Sequence, residues 1–242
     1  MINPKQFVTG LALMVTVCCV QAGEEDIRKS LAENLPEAKV GAITKLSYGG
    51  LYQVVVNGIN IIYTDEKGEV GFFGTLMNLK SKNDLTDQAK DSIRAVDFSK
   101  LPLEKSFVRV KGTGARKMAI FADPECPYCQ QLEKELQGVN DVTVYTFLLP
   151  LEGIHPDALR KARLVWCAKD RGQAWDDIML RKKEPANGDT KCETPIKEIA
   201  ELAPKLWITG TPGVVFSDGR LVPGALPQQR IEELLKTASQ NN

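Results

Sequence analysis

The chain has 242 residues, with 31 basic and 31 acidic side chains and a formal net charge of zero at pH 7. This balance argues against the strongly basic surface that binds nucleic acids or anionic membranes. The sequence contains six cysteines and one histidine, which favours thiol chemistry over a histidine-rich metal site.

The first 22 residues have the pattern of a secretory signal peptide. Lys5 supplies the positive charge, residues 7–20 are largely apolar, and Val20-Gln21-Ala22 resembles a cleavage site. The alternative is a membrane anchor, but the apolar stretch is shorter than the roughly 20 residues that span a bilayer. Cys18 and Cys19 lack the preceding small residue of a lipoprotein site. We therefore expect a signal peptide over residues 1–22 and an exported protein without stable membrane insertion.

Residues 23–80 predict a small domain made of one helix and an antiparallel sheet. Apolar residues at every fourth position predict a helix over Glu24–Leu35. Short β-like segments follow, with Asn57-Gly58 as a strong hairpin signal between two of them. The predicted strands are Val40–Tyr48, Leu51–Val56, Ile59–Tyr63 and Val70–Phe73. So small a domain has a thin core, and pairing its free sheet edges across a dimer axis would protect them.

Residues 81–105 form a polar stretch with one apolar stripe, at Leu85, Ala89, Ile93 and Val96. This pattern predicts a helical linker between two domains. The alternative is that the stretch is simply the first helix of the second domain.

Residues 106–242 alternate between strand and helix patterns, which is typical of an α/β domain. The predicted strands are Phe107–Val110, Met118–Ala122, Val142–Leu148 and Val214–Phe216. The predicted helices are Tyr128–Gln137, Asp157–Ala168 and Gln228–Ser239.

Cys126-Pro127-Tyr128-Cys129 lies between a predicted strand and a predicted helix. Unpaired N–H groups at a helix N-terminus stabilise an anion, so Cys126 is the candidate thiolate nucleophile. Cys129, one turn later, can resolve a mixed disulfide on Cys126, and the two form the candidate redox-active disulfide. Pro127 suits an early helical position because it lacks an N–H. The alternative, half of a zinc site, requires further ligands that one histidine, His155, and isolated cysteines do not supply.

Cys167 and Cys192 complete an even set of cysteines in the exported chain. The simplest interpretation is a structural disulfide, which would stabilise the fold by about 3–4 kcal/mol. The alternative is a second redox pair, although neither cysteine belongs to a CxxC motif.

The strand, CxxC and helix resemble the thioredoxin-like fold. In that fold a cis-proline precedes a strand beside the active-site cysteines, and Thr211-Pro212 lies in the matching position before Val214–Phe216. The resemblance therefore implies a cis bond at Pro212, with Thr211 presenting its backbone to substrate. The alternative is an ordinary trans-proline turn.

Four segments resemble the DsbC/DsbG family of periplasmic disulfide-bond isomerases. They are Phe121–Cys129, Trp166–Asp170, Gly210–Pro212 and Leu221–Gly224. The resemblance implies an α+β protein with a cystatin-like N-terminal dimerisation domain, a connecting helix and a thioredoxin-like catalytic domain. It also implies a V-shaped homodimer whose apolar cleft holds misfolded, disulfide-containing exported proteins. A membrane reductase of the DsbD type would keep the enzyme reduced, with no metal or organic cofactor.

In this family Cys126 corresponds to the attacking cysteine, Cys129 to the resolving cysteine, and Cys167–Cys192 to a structural disulfide. The dipeptide Pro127-Tyr128 departs from the Gly-Tyr that is common in the DsbC type and matches the DsbG type instead. The segments Trp166–Asp170 and Leu221–Gly224 resemble DsbC more closely.

The leading hypothesis is a periplasmic disulfide isomerase or reductase with chaperone-like binding. The alternatives are a DsbG-like reductase of sulfenic acids, a dithiol oxidase and a non-catalytic holdase. His155 is expected in a surface loop without a role, and Glu125 is expected to be solvated at the helix start. Tyr128 either borders the substrate surface or simply packs.

Overall fold

The fold comes from a computed structural model that describes residues 18–185 and 189–240. The apolar segment of the predicted signal peptide therefore lies largely outside the described residues. The described chain forms two compact units that divide between Ile93 and Arg94.

The first unit is one helix packed on an antiparallel sheet. The elements are α1 (Cys18–Asn34), β1 (Val40–Lys45), β2 (Tyr52–Val56), β3 (Asn60–Thr64), β4 (Gly71–Phe73), β5 (Met77–Asn78), β6 (Asn83–Asp84) and α2 (Leu85–Ile93). Strands β1 to β4 form one sheet in chain order, while β5 and β6 form a separate hairpin. The turn between β2 and β3 has positive φ at Asn57 (51°) and Gly58 (83°), as the hairpin signal predicts. Ile27 and Leu31 of α1 are buried against Val54 and Ile62, which closes this small core.

The second unit contains the remaining strands and helices. They are β7 (Phe107–Lys111), β8 (Arg116–Ala122), α3 (Pro127–Leu136), β9 (Val142–Leu148), α4 (Ala158–Cys167), α5 (Arg171–Met179), α6 (Ile196–Leu202), β10 (Gly213–Phe216), β11 (Leu221–Pro223) and α7 (Gln228–Gln240). The sheet has the order β11-β10-β8-β9-β7. Strands β8 and β9 are parallel, and the other pairs are antiparallel.

The central strand β8 is apolar and buried from Met118 to Ala122, because both faces of that part of the strand are covered. Met118 and Ile120 point into a core shared with α3, α4 and α7. Ala119 and Phe121 point to the opposite face, where they join a core that includes α6. The described residues thus form a helix-plus-antiparallel-sheet unit and an α/β unit.

The helix in the predicted linker is shorter than the stretch 81–105. It covers Leu85–Ile93, after which two short 3-10 turns lead to β7. Val96 and Leu101 are buried in the core of the second unit, so this segment follows that core rather than continuing a solvated helix. The residue before Pro102 is also disfavoured in a helical conformation.

A buried ion pair fixes α3, the helix that follows the CxxC motif. Glu133 is 1% exposed, and its carboxylate accepts hydrogen bonds from Arg109 of β7 at 2.6 and 2.7 Å. The indole N–H of Trp175 in α5 donates to the same carboxylate at 2.7 Å. Charged hydrogen bonds of this kind are strong only while both partners remain, because a lone buried charge is costly. The pair therefore sets how α3 lies on β7 and α5.

We expect Glu133→Gln to lower the free energy of unfolding by about 1.5–3 kcal/mol, because it removes the buried charge that accepts two hydrogen bonds from Arg109 and leaves the guanidinium with Asp176 as its carboxylate partner. Urea unfolding followed by circular dichroism measures this change. Lys134→Gln, at an exposed position of the same helix, is the matched control and should change stability by no more than about 0.5 kcal/mol. Equal stabilities of the two variants would contradict the structural role of Glu133.

Candidate active site

The CxxC motif begins α3 at the end of the central strand β8. Cys126 is the N-cap residue with extended backbone, and Pro127 is the first helical residue. Both cysteines are free thiols, and they are only 3% and 1% exposed. This position follows from the sequence, because the buried strand ends at Ala122 and the proline allows a helix to start immediately after Cys126.

The loop before β10 lies against Cys126. The Thr211–Pro212 bond is cis. The Cys126 thiol donates to the backbone carbonyl of Thr211 over 3.3 Å. The Thr211 hydroxyl is buried and has no partner among the described residues while Cys126 carries its proton, so it is available to donate to the Cys126 thiolate. The structure thus brings Cys126, Cys129, Thr211 and Pro212 together at one end of the sheet.

The two cysteines have opposite electrostatic environments. A hydrogen bond from the Cys129 thiol is the main cause that lowers the pKa of Cys126 to about 5, with further hydrogen bonds from Thr211 and the backbone N–H groups of Cys129 and Tyr128. Burial of Cys126 opposes this change. Burial is the main cause that raises the pKa of Cys129 far above its ordinary value, and the hydrogen bond to Cys126 raises it further. Near neutral pH Cys126 is therefore a thiolate and Cys129 a protonated thiol.

A buried carboxylate lies three residues before Cys126. Asp123 is fully buried, and its side chain accepts from the backbone N–H groups of Glu125 and Leu151, each at 2.6 Å. Its second oxygen also lies 3.0 Å from the Nδ1 atom of His155. The backbone carbonyl of Asp123 accepts from the Cys126 N–H at 3.2 Å. Asp123 therefore ties the loop before α3 to the loop after β9.

His155 lies in the loop after β9 and contacts Asp123, a placement that the sequence analysis does not include. Its side chain is 19% exposed and pairs with Asp123. One sequence signal could have found it. Strands β8 and β9 are parallel neighbours, and the loops after such strands meet at the same edge of the sheet. One of those loops contains Cys126 and the other contains His155.

Glu125 is also placed differently from the expectation of a solvated side chain. One carboxylate oxygen accepts from Lys161 Nζ at 2.8 Å, and the other accepts from the Asp157 backbone N–H at 2.9 Å. The side chain is only 22% exposed. Because the ammonium of Lys161 compensates its charge, Glu125 opposes the Cys126 thiolate less than its sequence position indicates.

Three predicted site residues lie apart from this cluster, one at the protein surface and two in a disulfide. Tyr128 is 63% exposed beside Cys126, which favours a role at the surface over simple packing. Cys167 and Cys192 form a disulfide with an S–S distance of 2.00 Å. It joins the end of α4 to the segment before α6.

Residues 18–185 and 189–240 contain no group of three or more potential metal-ligating side chains. In the same residues, no helix is both long enough and apolar enough to cross a membrane.

The comparisons with known proteins agree with this arrangement. Residues 103–239 match the model of the thioredoxin-like domain, and residues 20–87 match the model of the disulfide bond isomerase protein N-terminal domain. A probable thiol:disulfide interchange protein DsbC from Bordetella parapertussis is 35% identical over 209 residues, which cover 86% of this chain and 73% of the relative. The chain belongs to the DsbC family. The family assignment and the fold class predicted from the sequence are therefore confirmed.

Two further relatives support the assignment. DsbC from Escherichia coli K12 is 28% identical over 219 residues, which cover 89% of this chain and 88% of the relative. The crystal structure of a disulfide interchange protein from Neisseria gonorrhoeae is 41% identical, with a TM-score of 0.55, and covers 57% of this chain and 99% of that chain. The protein is thus an enzyme of thiol:disulfide interchange with a thioredoxin-like domain.

We expect the reduced protein to be alkylated by iodoacetamide at Cys126 alone, with a rate that follows a pKa of about 5. Cys129→Ala removes the thiol that donates to Cys126, so it should raise the Cys126 pKa. Cys129→Ser is the matched control, because its hydroxyl still donates and should preserve more of the low pKa. Ultraviolet absorbance of the thiolate against pH measures all three proteins. Identical curves for the wild type and Cys129→Ala would contradict the assigned hydrogen bond.

Proposed function

We propose that the protein is a disulfide isomerase of exported proteins. The observation that carries this proposal is the unequal pair of cysteines, with a Cys126 thiolate beside a buried, protonated Cys129. The thiolate attacks a substrate disulfide, forms a mixed disulfide and releases one substrate thiolate. A second substrate thiol then attacks the mixed disulfide, which restores the Cys126 thiolate and leaves a rearranged bond in the substrate.

Cys129 completes the reaction when no substrate thiol arrives. It attacks Cys126, releases the substrate as a thiol and leaves a Cys126–Cys129 disulfide. The enzyme then requires reduction, for which a membrane reductase of the DsbD type is the proposed partner. The neighbouring Thr211 and Pro212 support this scheme, because the Thr211 carbonyl lies beside the attacking sulfur where an extended substrate segment can pair with the backbone.

The signal-like N-terminal sequence and the family together support a periplasmic location. Misfolded proteins with disulfides would be the substrates. One observation favours a second candidate: Pro127-Tyr128 is the dipeptide of the DsbG type. A DsbG-like enzyme reduces sulfenic acids on single cysteines, and the same Cys126 would attack the oxidised sulfur. A dithiol oxidase has no need of the N-terminal domain and is the weaker alternative.

We expect the mature protein to reactivate a scrambled-disulfide substrate in a glutathione buffer, and Cys126→Ala to abolish the reactivation. Cys129→Ser should retain part of it, because isomerisation can be completed by a substrate thiol. An oxidase needs both cysteines. The isomerase proposal would be contradicted if the wild type fails to reactivate the scrambled substrate but rapidly oxidises a reduced one, and if both variants lose this oxidation.

A homodimer through the first unit is the proposed assembly. Strand β4 is an edge of its sheet, and Phe72 and Phe73 on it are 55% and 71% exposed. An apolar edge strand left in water promotes pairing with another chain. In a twofold dimer the same edge of both subunits would meet and cover these side chains.

We expect Phe73→Asp to convert the dimer to a monomer, because it places a charge in the proposed interface. Ile154→Asp, at a side chain of the second unit that is 69% exposed, is the matched control and should leave the dimer intact. Sedimentation equilibrium distinguishes the two states. A dimeric Phe73→Asp variant would contradict the proposed edge.

A further inference from the structure

His155 lies in a position to respond to the charge on Cys126. Its Nδ1 atom is 3.0 Å from the buried Asp123 carboxylate, and its side chain is 19% exposed. Asp123 in turn accepts the N–H of Cys126 through its backbone carbonyl. A buried carboxylate is costly unless a cation accompanies it, and the imidazolium of His155 supplies that charge. Histidine is the side chain that can gain or lose such a charge near neutral pH.

The charges around His155 all favour its protonated form. The hydrogen bond to Asp123 is the main cause that raises the pKa of His155, and the charges of Asp123, Cys126 and Glu125 raise it further. Partial burial opposes these effects. From α4, Lys161 and Asp157 lie against Glu125 rather than Asp123. The loop before β10 brings the uncharged residues Thr211 and Pro212 to the site. Cys126 is therefore one of the charges that His155 experiences.

Coupling between two sites is reciprocal. If the Cys126 thiolate favours the imidazolium, then the imidazolium must favour the thiolate by the same free energy. Loss of the histidine proton would leave the buried Asp123 carboxylate without a counter-charge beside Cys126, which disfavours the thiolate. Protonation of His155 and ionisation of Cys126 are thus linked through Asp123.

We propose that His155 is a positioning residue whose imidazolium, held by Asp123, stabilises the Cys126 thiolate. Oxidation of the CxxC pair removes this thiolate, so the imidazolium then loses its proton more easily. This inference rests on the proposed function, in which Cys126 is the attacking thiolate. When Cys129 completes the reaction in place of a substrate thiol, the substrate S–S bond breaks and the Cys126–Cys129 bond forms. Two electrons pass to the substrate sulfurs, one of which leaves as a thiolate while the other takes the proton of Cys129. The thiolate beside His155 has then disappeared.

The sequence offers a direct test because His155 is its one histidine. The imidazole resonance of tag-free protein therefore reports His155 without assignment. We expect NMR titration to give a higher His155 pKa in the reduced protein than in the protein oxidised at Cys126–Cys129. Cys126→Ser has no thiolate and should match the oxidised protein. Equal His155 pKa values in the reduced and oxidised proteins would overturn the proposal.

A pair of variants separates charge from hydrogen bonding. His155→Asn can still donate to Asp123 but carries no charge, whereas His155→Leu loses both. We expect both variants to raise the Cys126 pKa and, below pH 5, to slow alkylation of Cys126 about fivefold. A factor of about five is the lower end of the usual range of coupling between two sites. If Cys126 is alkylated at the same rate in His155→Asn as in the wild type, the proposed effect of the histidine charge is overturned. If the Leu variant does not fold, the Asn variant and the redox comparison still decide.

The outcomes also separate this inference from the function on which it rests. A low Cys126 pKa with equal histidine titrations would overturn only the coupling to His155. An ordinary Cys126 pKa together with equal histidine titrations would overturn both the coupling and the assignment of Cys126 as the nucleophile.

Discussion

The hydrogen bond between the Cys129 thiol and the Cys126 sulfur makes two chemically identical side chains unequal. It lowers the pKa of Cys126 to about 5 and, together with burial, raises the pKa of Cys129. One sulfur can then attack while the other keeps its proton until a mixed disulfide needs resolving. This asymmetry requires a helix that begins at Pro127, a buried second turn and the Thr211 side chain beside Cys126. The other strands and helices of the second unit hold these three features in place.

Two buried carboxylates hold that geometry. Glu133 ties α3 to β7 and α5 through Arg109 and Trp175. Asp123 ties the loop before α3 to the loop after β9 and brings His155 to the site. Each carboxylate is fully compensated by charged or N–H donors, so burial strengthens rather than penalises the contacts. The helix that presents the CxxC motif is thus secured at its start and in its middle.

The sequence predicts those features that depend on local patterns. The apolar run of β8, the hairpin at Asn57-Gly58 and the helix start at Pro127 each have a local physical cause, and the structure contains all three. Helices α5 and α6 have no counterpart among the predicted elements, because they are nine and seven residues long and so fall short of the roughly 11–18-residue window in which helical periodicity is a clear signal. The interactions of Asp123 with His155 and of Glu125 with Lys161 join residues 32 and 36 positions apart. Such contacts depend on the order of the strands, which composition and periodicity do not specify.

The most direct test of the central claim is to trap the mixed disulfide. Cys129→Ser protein, incubated with a scrambled-disulfide substrate and quenched with acid, should contain a covalent enzyme–substrate adduct that peptide mapping by mass spectrometry assigns to Cys126. The Cys167–Cys192 disulfide should remain intact in the same sample. An adduct at Cys167 or Cys192, or no adduct in a folded protein, would contradict the assignment of Cys126 as the attacking thiolate.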